Sequence, residues 1–218
     1  MRHNLFKIGP QATDNGDCPF HYLESASGIG VTLSPEFDHE INGIGRCDPM
    51  RESWKSLPCQ VMKQEKLPGV FTYSAGYTIA FPKRRTGALS KSFPDQFEWL
   101  PIEIVGEKGE NFQPPFKSPL SEEVRALNVH LLHCIRPITL QDASVAEEFE
   151  PASKKRKSDV VSFADVETYA FKRAEVDGLD ILFVEQDLAL ICTERFRQTL
   201  VDMKLEGLQF EPIQAILV

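Results

Sequence analysis

The sequence predicts an α+β fold of mostly antiparallel strands with a few short helices, closing with a strand, a helix and a strand. Apolar segments are short and separated by glycine, proline and polar residues, which is typical of strands joined by turns. One segment near the C-terminus has the periodicity of an amphipathic helix instead. Hydrophobic residues make up 42% of the 218 residues and charged residues 26%, which is average for a soluble globular chain.

The first third of the chain is rich in turn-forming residues and has few apolar segments. Residues 5–8 are predicted as a strand, and residues 70–80 as a second strand that Gly76 interrupts. Between them, Ser34 followed by Pro35 predicts the start of a short helix, because proline is favoured at the first helical position.

Two loops are predicted next. Residues 82–97 are polar and basic, and residues 106–121 contain three prolines. We therefore place a boundary at about residue 117, between a turn-rich, β-containing N-terminal lobe (1–117) and an α+β C-terminal lobe (118–218). One continuous domain is the alternative.

The signals are stronger beyond this boundary. Ser118 and Pro119 predict a capped short helix to about residue 127, with Glu122 and Glu123 where the helix dipole favours negative charge. Residues 129–135 are apolar on both faces and predict a central strand. Residues 160–163 and 168–171 predict two short strands, and the apolar segments 179–184 and 188–192 predict a hairpin.

The chain closes with a helix and a strand. Thr193 is a favourable N-cap residue. Phe196, Leu200 and Met203 follow at spacings that place them on one helical face, which we expect to dock on the sheet. Gly207 ends this segment, and residues 208–213 predict the closing strand.

The net charge of −8 is unevenly distributed. Residues 1–117 hold 13 basic and 14 acidic residues, whereas residues 118–218 hold 11 basic and 18 acidic ones. An acidic half argues against nucleic acid as a partner, because such a partner requires a basic surface. The charge fits solubility or a basic protein partner equally well.

Targeting and cysteine signals point to the cytoplasm. No apolar segment approaches the roughly 20 residues of a membrane helix, and the first ten residues lack the apolar stretch of a secretory signal. The five cysteines are scattered and odd in number, so we expect reduced thiols and not a disulfide framework. We expect no membrane partner.

No motif predicts catalysis, a cofactor or a metal. The phosphate-binding, nucleophile-elbow and zinc-protease patterns are missing from the sequence. His130 and His133 are the best metal candidates, but residues three apart on a strand point to opposite faces. We therefore expect two buried strand histidines in place of a metal site.

Several short motifs occur in a fixed order over about residues 118–214. They are Asn128-Val129 with Cys134, Asp142-Ala143-Ser144, Leu182-Phe183-Val184, Ile191-Cys192-Thr193-Glu194-Arg195-Phe196-Arg197 and Leu205-Glu206-Gly207-Leu208-Gln209-Phe210-Glu211-Pro212. This order is similar to the eleventh family of bacterial immunity proteins of polymorphic toxin systems, formerly a domain of unknown function. Such proteins end with a strand, a Ser-Glu-Arg-Phe-like helix start, a Leu-Thr-Gly turn and a Phe-x-Pro strand. Here Cys192-Thr193 takes the place of Ser, and Glu206 that of Thr.

The resemblance implies an inhibitor of interbacterial competition. Such a protein binds a cognate toxin that is encoded next to it and delivered between cells, and it neutralises that toxin by stoichiometric protein–protein interaction. The resemblance carries no catalytic residue and no cofactor. The alternative hypothesis is an enzyme or small-ligand-binding protein with a site in the glycine-rich N-terminal third.

Two groups of residues are candidates for the toxin-binding surface. Glu147, Glu148 and Glu150 form the densest acidic group, in a loop predicted over 142–158; the alternative is that they pair with the basic residues 154–157. Trp54 and Trp99 lie beside predicted loops, where aromatic residues anchor interfaces. Core packing is the alternative for both tryptophans.

Overall fold

Two β-sheets and four short helices make up the part of the chain that the structure describes. The computed structural model describes residues 4–13, 19–20, 22–25, 49, 51–54, 57–62, 65–73, 78–108, 121–126, 128–148 and 163–218. In chain order, its elements are β1 (Leu5–Pro10), β2 (Tyr22–Ser25), β3 (Leu57–Met62), β4 (Phe71–Tyr73), β5 (Thr78–Pro82), α1 (Lys83–Ser92), β6 (Phe97–Lys108), α2 (Glu122–Arg125), β7 (Val129–Cys134), β8 (Pro137–Ile138), β9 (Val145–Glu148), β10 (Phe163–Phe171), α3 (Arg173–Val176), β11 (Ile181–Val184), β12 (Ala189–Thr193), α4 (Glu194–Asp202) and β13 (Leu208–Leu217). The predicted α+β class, with mostly antiparallel strands and a closing strand–helix–strand, is confirmed.

Six strands close into a barrel in the order β2-β3-β6-β7-β5-β4. Neighbours are antiparallel except for β3 with β6 and β2 with β4, which run parallel. Apolar side chains from these strands form one cluster, in which Leu23, Phe71, Leu100 and Leu131 have no exposed surface. This cluster is the core of the barrel.

The other seven strands form an open sheet in the order β8-β11-β12-β1-β13-β10-β9. A second hydrophobic cluster joins this sheet to the barrel. It combines Phe81 and Leu132 of the barrel with Phe183 and Leu190 of the sheet, and it includes Phe196 of α4. Burial of apolar surface between the sheets therefore holds them together.

The predicted boundary at residue 117 does not separate the two sheets. Strand β1, from the start of the chain, lies between β12 and β13 in the open sheet. Strand β7, from beyond residue 117, lies between β6 and β5 in the barrel. Composition changes along the chain locate loops, but they carry no information about which distant strands pair.

Several predicted elements are confirmed. Strand β7 is buried along its whole length, as expected of a central strand. Strands β11 and β12 form the predicted antiparallel hairpin. The Thr193 hydroxyl accepts a hydrogen bond from the Phe196 amide and caps α4, and β13 follows Gly207. A short helix with Glu122 and Glu123 in its first turn is present as α2, but Ser121 caps it and it is shorter than predicted, ending at Arg125; residues 118–119 and 34–35 lie outside the described residues.

The loop predicted over residues 82–97 is wrong, because residues Lys83–Ser92 form α1. Thr86, Leu89 and Phe93 follow one another at spacings of three and four residues, and all three are buried. This spacing places them on one face of a helix. The basic residues in this segment made it look like a polar loop, so its buried helical face was not recognised from the sequence.

Four smaller predictions also need correction. Residues 70–80 hold two strands, since β4 and β5 pair antiparallel, and Gly76 lies outside the described residues. The two strands predicted over 160–171 are one strand in the described part, β10. Strand β6 continues to residue 108, into the predicted loop 106–121. Strand β9 lies within the predicted loop 142–158.

A close backbone approach fixes the start of β13 against the barrel. The amides of Gly69 and Val70 both donate to the Glu206 carbonyl, at 2.9 and 3.1 Å. Gly207 has a φ of +108°, and a Cβ atom on it would lie 2.7 Å from both the Pro68 Cβ and the Val70 carbonyl oxygen. Only glycine fits this joint without displacing the backbone.

A buried carboxylate fixes the two sheets at a second point. Asp180, before β11, accepts hydrogen bonds from Arg195 at 2.8 Å and from the Thr193 hydroxyl at 2.7 Å. The Gln96 side-chain oxygen accepts from the Asp180 amide at 2.6 Å. Arg195 also donates to the Ser92 carbonyl at 2.7 Å. The end of α1 is thereby tied to the start of α4.

We predict that Phe196→Ala lowers the free energy of unfolding by about 3–5 kcal/mol, as large-to-small core changes do. The Phe196 ring is fully buried, and its centroid lies 5.0 Å from that of Phe93. Denaturant-induced unfolding measures the loss. Val201→Ala on the same helix is the matched control, because Val201 is 47% exposed; equal losses for the two variants would contradict the docked face.

We predict that Gly207→Ala destabilises the protein by about 3 kcal/mol or more, because backbone strain adds to the steric clash. Gly178→Ala is the control: its φ is +80°, but nothing lies within 4 Å of the added Cβ. It should therefore cost only the strain of about 1–2 kcal/mol. The comparison uses the same unfolding measurement, and a smaller loss at Gly207 than at Gly178 would refute the close approach.

Candidate functional site

Strand β13 changes its partner halfway along its length. Its first part, 208–213, pairs antiparallel with β1, and the last of these pairs joins Ile213 to Leu5. Its second part, 214–217, pairs parallel with β10, starting at Gln214 opposite Thr168. Because each part has only one of these two neighbours, each leaves one edge of β13 without a strand from the described residues. The candidate sites lie at these two edges.

One edge opens a cleft between β10 and β13. The two strands are paired over 168–171 and 214–217, whereas their preceding residues are not paired with each other. A cavity of about 180 Å³ lies here. Its lining combines one cation, two carboxylates, a phenol and short apolar or amide residues: Lys7, Val166, Glu167, Tyr169, Glu211, Pro212, Ile213 and Gln214. We call it the acidic cleft.

A hydrogen-bonded cluster lies beside the acidic cleft. The Lys7 ammonium donates to Asp187 Oδ2 at 2.9 Å, and the Tyr169 hydroxyl donates to the same oxygen at 2.5 Å. The Asp187 side chain is only 5% exposed, and Tyr169 only 2%. Burying a carboxylate is costly unless charged and polar groups compensate it, which these two donors do.

The other edge of β13 opens a larger, uncharged cavity of about 590 Å³. It lies where β1 begins, and its lining has no ionisable side chain: Asn4, Leu5, Phe6, Pro212, Ile213, Gln214, Ala215 and Ile216. Ile216 remains 40% exposed. Its lining combines apolar side chains with the amides of Asn4 and Gln214, so it offers apolar contact and uncharged hydrogen bonds.

The end of the open sheet is strongly acidic. Strand β9 is the last strand in the sheet order and pairs with β10. The two strands contain four acidic residues, Glu147, Glu148, Asp165 and Glu167, and neither lysine nor arginine. In the register of this pair, Glu147 lies opposite Asp165. We call β9 and β10 together the acidic sheet end.

The predicted binding residues lie on different sheets. Glu147 and Glu148 belong to β9, so a strand and not a loop carries them; Glu150 and the basic residues 154–157 lie outside the described residues. The physical reason is that β9 pairs with β10, which follows it in the chain by more than a dozen residues. Local sequence shows the charge of this segment, but not its distant partner.

The two tryptophans are held against the barrel. The Trp54 indole N–H donates to the Pro101 carbonyl, and that of Trp99 to the Ser90 hydroxyl, both at 2.7 Å. Trp99 also makes edge-on contacts with Phe81 and Phe97, with centroids 5.5 and 5.1 Å away. Both tryptophans are half-buried, which agrees with the alternative of core packing.

The two predicted strand histidines lie on β7 and are buried. Burial lowers the pKa of His130, and the nearby Lys83 ammonium lowers it further, against the opposing effect of the Asn128 carbonyl. His133 Nε2 lies 3.7 Å from a carboxylate oxygen of Glu98 on β6. Among the described residues, no group of three or more His, Cys, Asp or Glu side chains is arranged to hold a metal ion.

The described thiols are buried. Burial raises the pKa of Cys134 to about 12, and it raises the pKa of Cys192 to about 12 despite the nearby Arg197. Both side chains belong to the core between the two sheets. These thiols are therefore protonated packing residues at neutral pH.

Sequence reasoning missed the residues of the acidic cleft. Lys7, Glu167 and Glu211 are isolated charges within predicted or observed strands, and Asp187 lies in the turn of the predicted hairpin. A charged residue inside an apolar strand was the available signal. It becomes informative only once the pairing of β1, β13 and β10 is known. The glycines that suggested an N-terminal site (28, 30, 43 and 45) lie outside the described residues.

Comparison with known proteins adds no relative. No protein-family model matches the chain, and no curated protein does. In the part of the chain that the structure describes, no helix is long and apolar enough to cross a membrane.

We predict that Tyr169→Phe lowers the free energy of unfolding by about 1.5–3 kcal/mol, the range for a hydrogen bond to a charged group. The change removes one of two donors from the buried Asp187 carboxylate and keeps the aromatic ring that packs on Phe171. Thermal or denaturant unfolding measures the loss. An unchanged stability would show that Asp187 does not depend on this hydroxyl.

Proposed function

We propose that this protein is an immunity protein that binds a cognate secreted bacterial toxin, encoded next to it, and neutralises it by stoichiometric protein–protein interaction. The observation that carries the proposal is the acidic sheet end, where four carboxylate residues and no basic residue lie on the last two strands of the open sheet. The protein would then act by binding the toxin through the acidic sheet end.

The edge of β9 offers a way to bind another chain. A strand at the end of a sheet presents backbone N–H and C=O groups that can pair with an added strand. Val145, at the start of β9, is 51% exposed and supplies apolar surface for such a contact. Backbone pairing contributes affinity, and the surrounding side chains determine which partner fits.

Charge selects the class of partner. The acidic residues of β9 and β10 belong to the half of the chain with 18 acidic and 11 basic residues. A concentrated negative field attracts a basic surface and raises the rate of association, an effect that falls as salt increases. A basic toxin fits this field, whereas an acidic one would be repelled.

The architecture of the C-terminal segment also supports the proposal. The last two motifs that resemble the immunity family lie on β12, α4 and β13, which form a strand–helix–strand in the structure. Thr193 and Gly207 each have a structural role in this segment: one caps α4, and the other permits the close approach to the barrel.

The direct test is co-production with the product of the neighbouring gene. We expect a 1:1 complex on size-exclusion chromatography, and growth protection of cells that express both proteins. A neighbouring product that is toxic, and that neither binds this protein nor is neutralised by it, would overturn the proposal.

We predict that the triple change Glu147→Gln, Glu148→Gln and Glu150→Gln slows association with that toxin by roughly tenfold at low ionic strength, because electrostatic steering is reduced. It should also flatten the dependence of the association rate on salt. Stopped-flow or surface-based kinetics measure both quantities.

The matched control changes the same charge elsewhere. Glu65, Glu103 and Glu123 are exposed and lie outside the acidic sheet end, so Glu65→Gln, Glu103→Gln and Glu123→Gln together should leave most of the steering intact. If both triple variants slow association equally, net charge and not the acidic sheet end directs the encounter.

A further inference from the structure

The acidic cleft is a gap within a sheet. Strands β10 and β13 run parallel and pair only over their last residues, so the edges of both strands face the gap before the first pair, Thr168 with Gln214. The cavity lies at this junction, with Val166 and Glu167 on one side and Glu211 and Pro212 on the other. A ligand in this cavity would therefore lie between the edge of β10 and the edge of β13.

The size of the cavity restricts what it can hold. At about 180 Å³ it is smaller than the roughly 300–1,000 Å³ of typical small-molecule and cofactor sites. It is large enough for one long side chain of a protein partner. The open strand edges beside it allow the backbone of that partner to pair at the same time.

The charge of the cleft specifies the side chain. Its one cation, Lys7, is neutralised by Asp187 at 2.9 Å. Lys7 lies opposite Glu211 in the β1–β13 register, yet its ammonium is bonded to Asp187. The carboxylates of Glu167 and Glu211 are exposed and make no hydrogen bond or ion pair with the described residues. Two uncompensated negative charges therefore face the gap, one on each wall.

We propose that the acidic cleft receives an arginine side chain of the toxin, with Glu167 and Glu211 as its acceptors. This rests on the proposed function for the identity of the partner. A guanidinium presents five donors in one plane, so a single group can donate to carboxylates on both walls. A lysine ammonium is a compact point charge and lacks this fork. The nearby Tyr169 hydroxyl already donates to Asp187.

The cleft adjoins the acidic sheet end, because Glu167 belongs to both. Long-range attraction by β9 and β10 brings a basic partner to this edge, and the cleft then holds one of its side chains. Charges at the rim of an interface mainly affect the association rate, whereas a charge pair that the complex buries mainly affects dissociation. The two sites therefore predict different kinetic effects.

The test uses the full chain and the neighbouring toxin. Glu167→Gln with Glu211→Gln should weaken binding by roughly 30-fold, chiefly through faster dissociation. Glu65→Gln with Glu103→Gln removes the same charge from exposed positions outside the cleft and should leave dissociation unchanged. Wild-type dissociation in the cleft variant, with a complex still formed, would overturn the cleft and leave the proposed function standing.

A second probe does not depend on the toxin. Acetyl-arginine amide at millimolar concentration should shift the backbone amide resonances of Val166, Glu167, Glu211 and Gln214, and acetyl-citrulline amide, which is neutral and similar in shape, should not. The shifts should disappear in the double variant. Equal shifts from both probes, or none from arginine, would overturn the site even if the toxin binds elsewhere.

Discussion

The change of partner along β13 is the constraint on which the candidate site depends. A strand has two edges, and β13 pairs with β1 over its first part and with β10 over its second. This one change leaves each part of β13 with one edge that no strand of the described residues covers, and a cavity lies beside each of these edges. Within the described ladders, the four residues 214–217 are also the link by which β10 and β9 join the rest of the open sheet. The acidic strands β9 and β10 therefore form one end of the open sheet, and they are paired with the rest of it through the second part of β13.

Two joints hold the barrel against the open sheet. Glu206 and Gly207 lie against Gly69 and Val70 through backbone hydrogen bonds, immediately before β13 begins. The buried carboxylate of Asp180 ties α4 to the end of α1 from the other side. Between these points, the apolar core that includes Phe196 fills the interface. These contacts fix the start of β13 and the start of α4 relative to the barrel.

The chemistry of the described side chains fits binding through charge. Cys134 and Cys192 are core thiols with pKa values of about 12, and burial lowers the pKa of His130 so that it favours the neutral form. The charged groups that line the acidic cleft are Lys7, which is paired with Asp187, and the exposed carboxylates of Glu167 and Glu211. In the proposed interaction, these carboxylates would attract a basic partner through their long-range field and then accept hydrogen bonds from one of its side chains. The cavity at the start of β1 has no ionisable side chain in its lining.

The sequence by itself determined the local elements whose signals lie within a few residues. The cap at Thr193, the helical face of Phe196 and Leu200, the hairpin of β11 and β12 and the burial of β7 all follow from spacing and residue type. Helix α1 was not predicted, because this segment has many basic residues and few apolar ones. Only the contacts of Leu89 and Phe93 with the core show that these two residues share a buried face. Only the tertiary structure decided that β1 joins the C-terminal strands, that Glu147 lies on an end strand, and that Lys7, Glu167 and Glu211 line one cleft. Those facts depend on hydrogen bonds between strands up to about two hundred residues apart, and no local pattern records which distant strand completes a ladder.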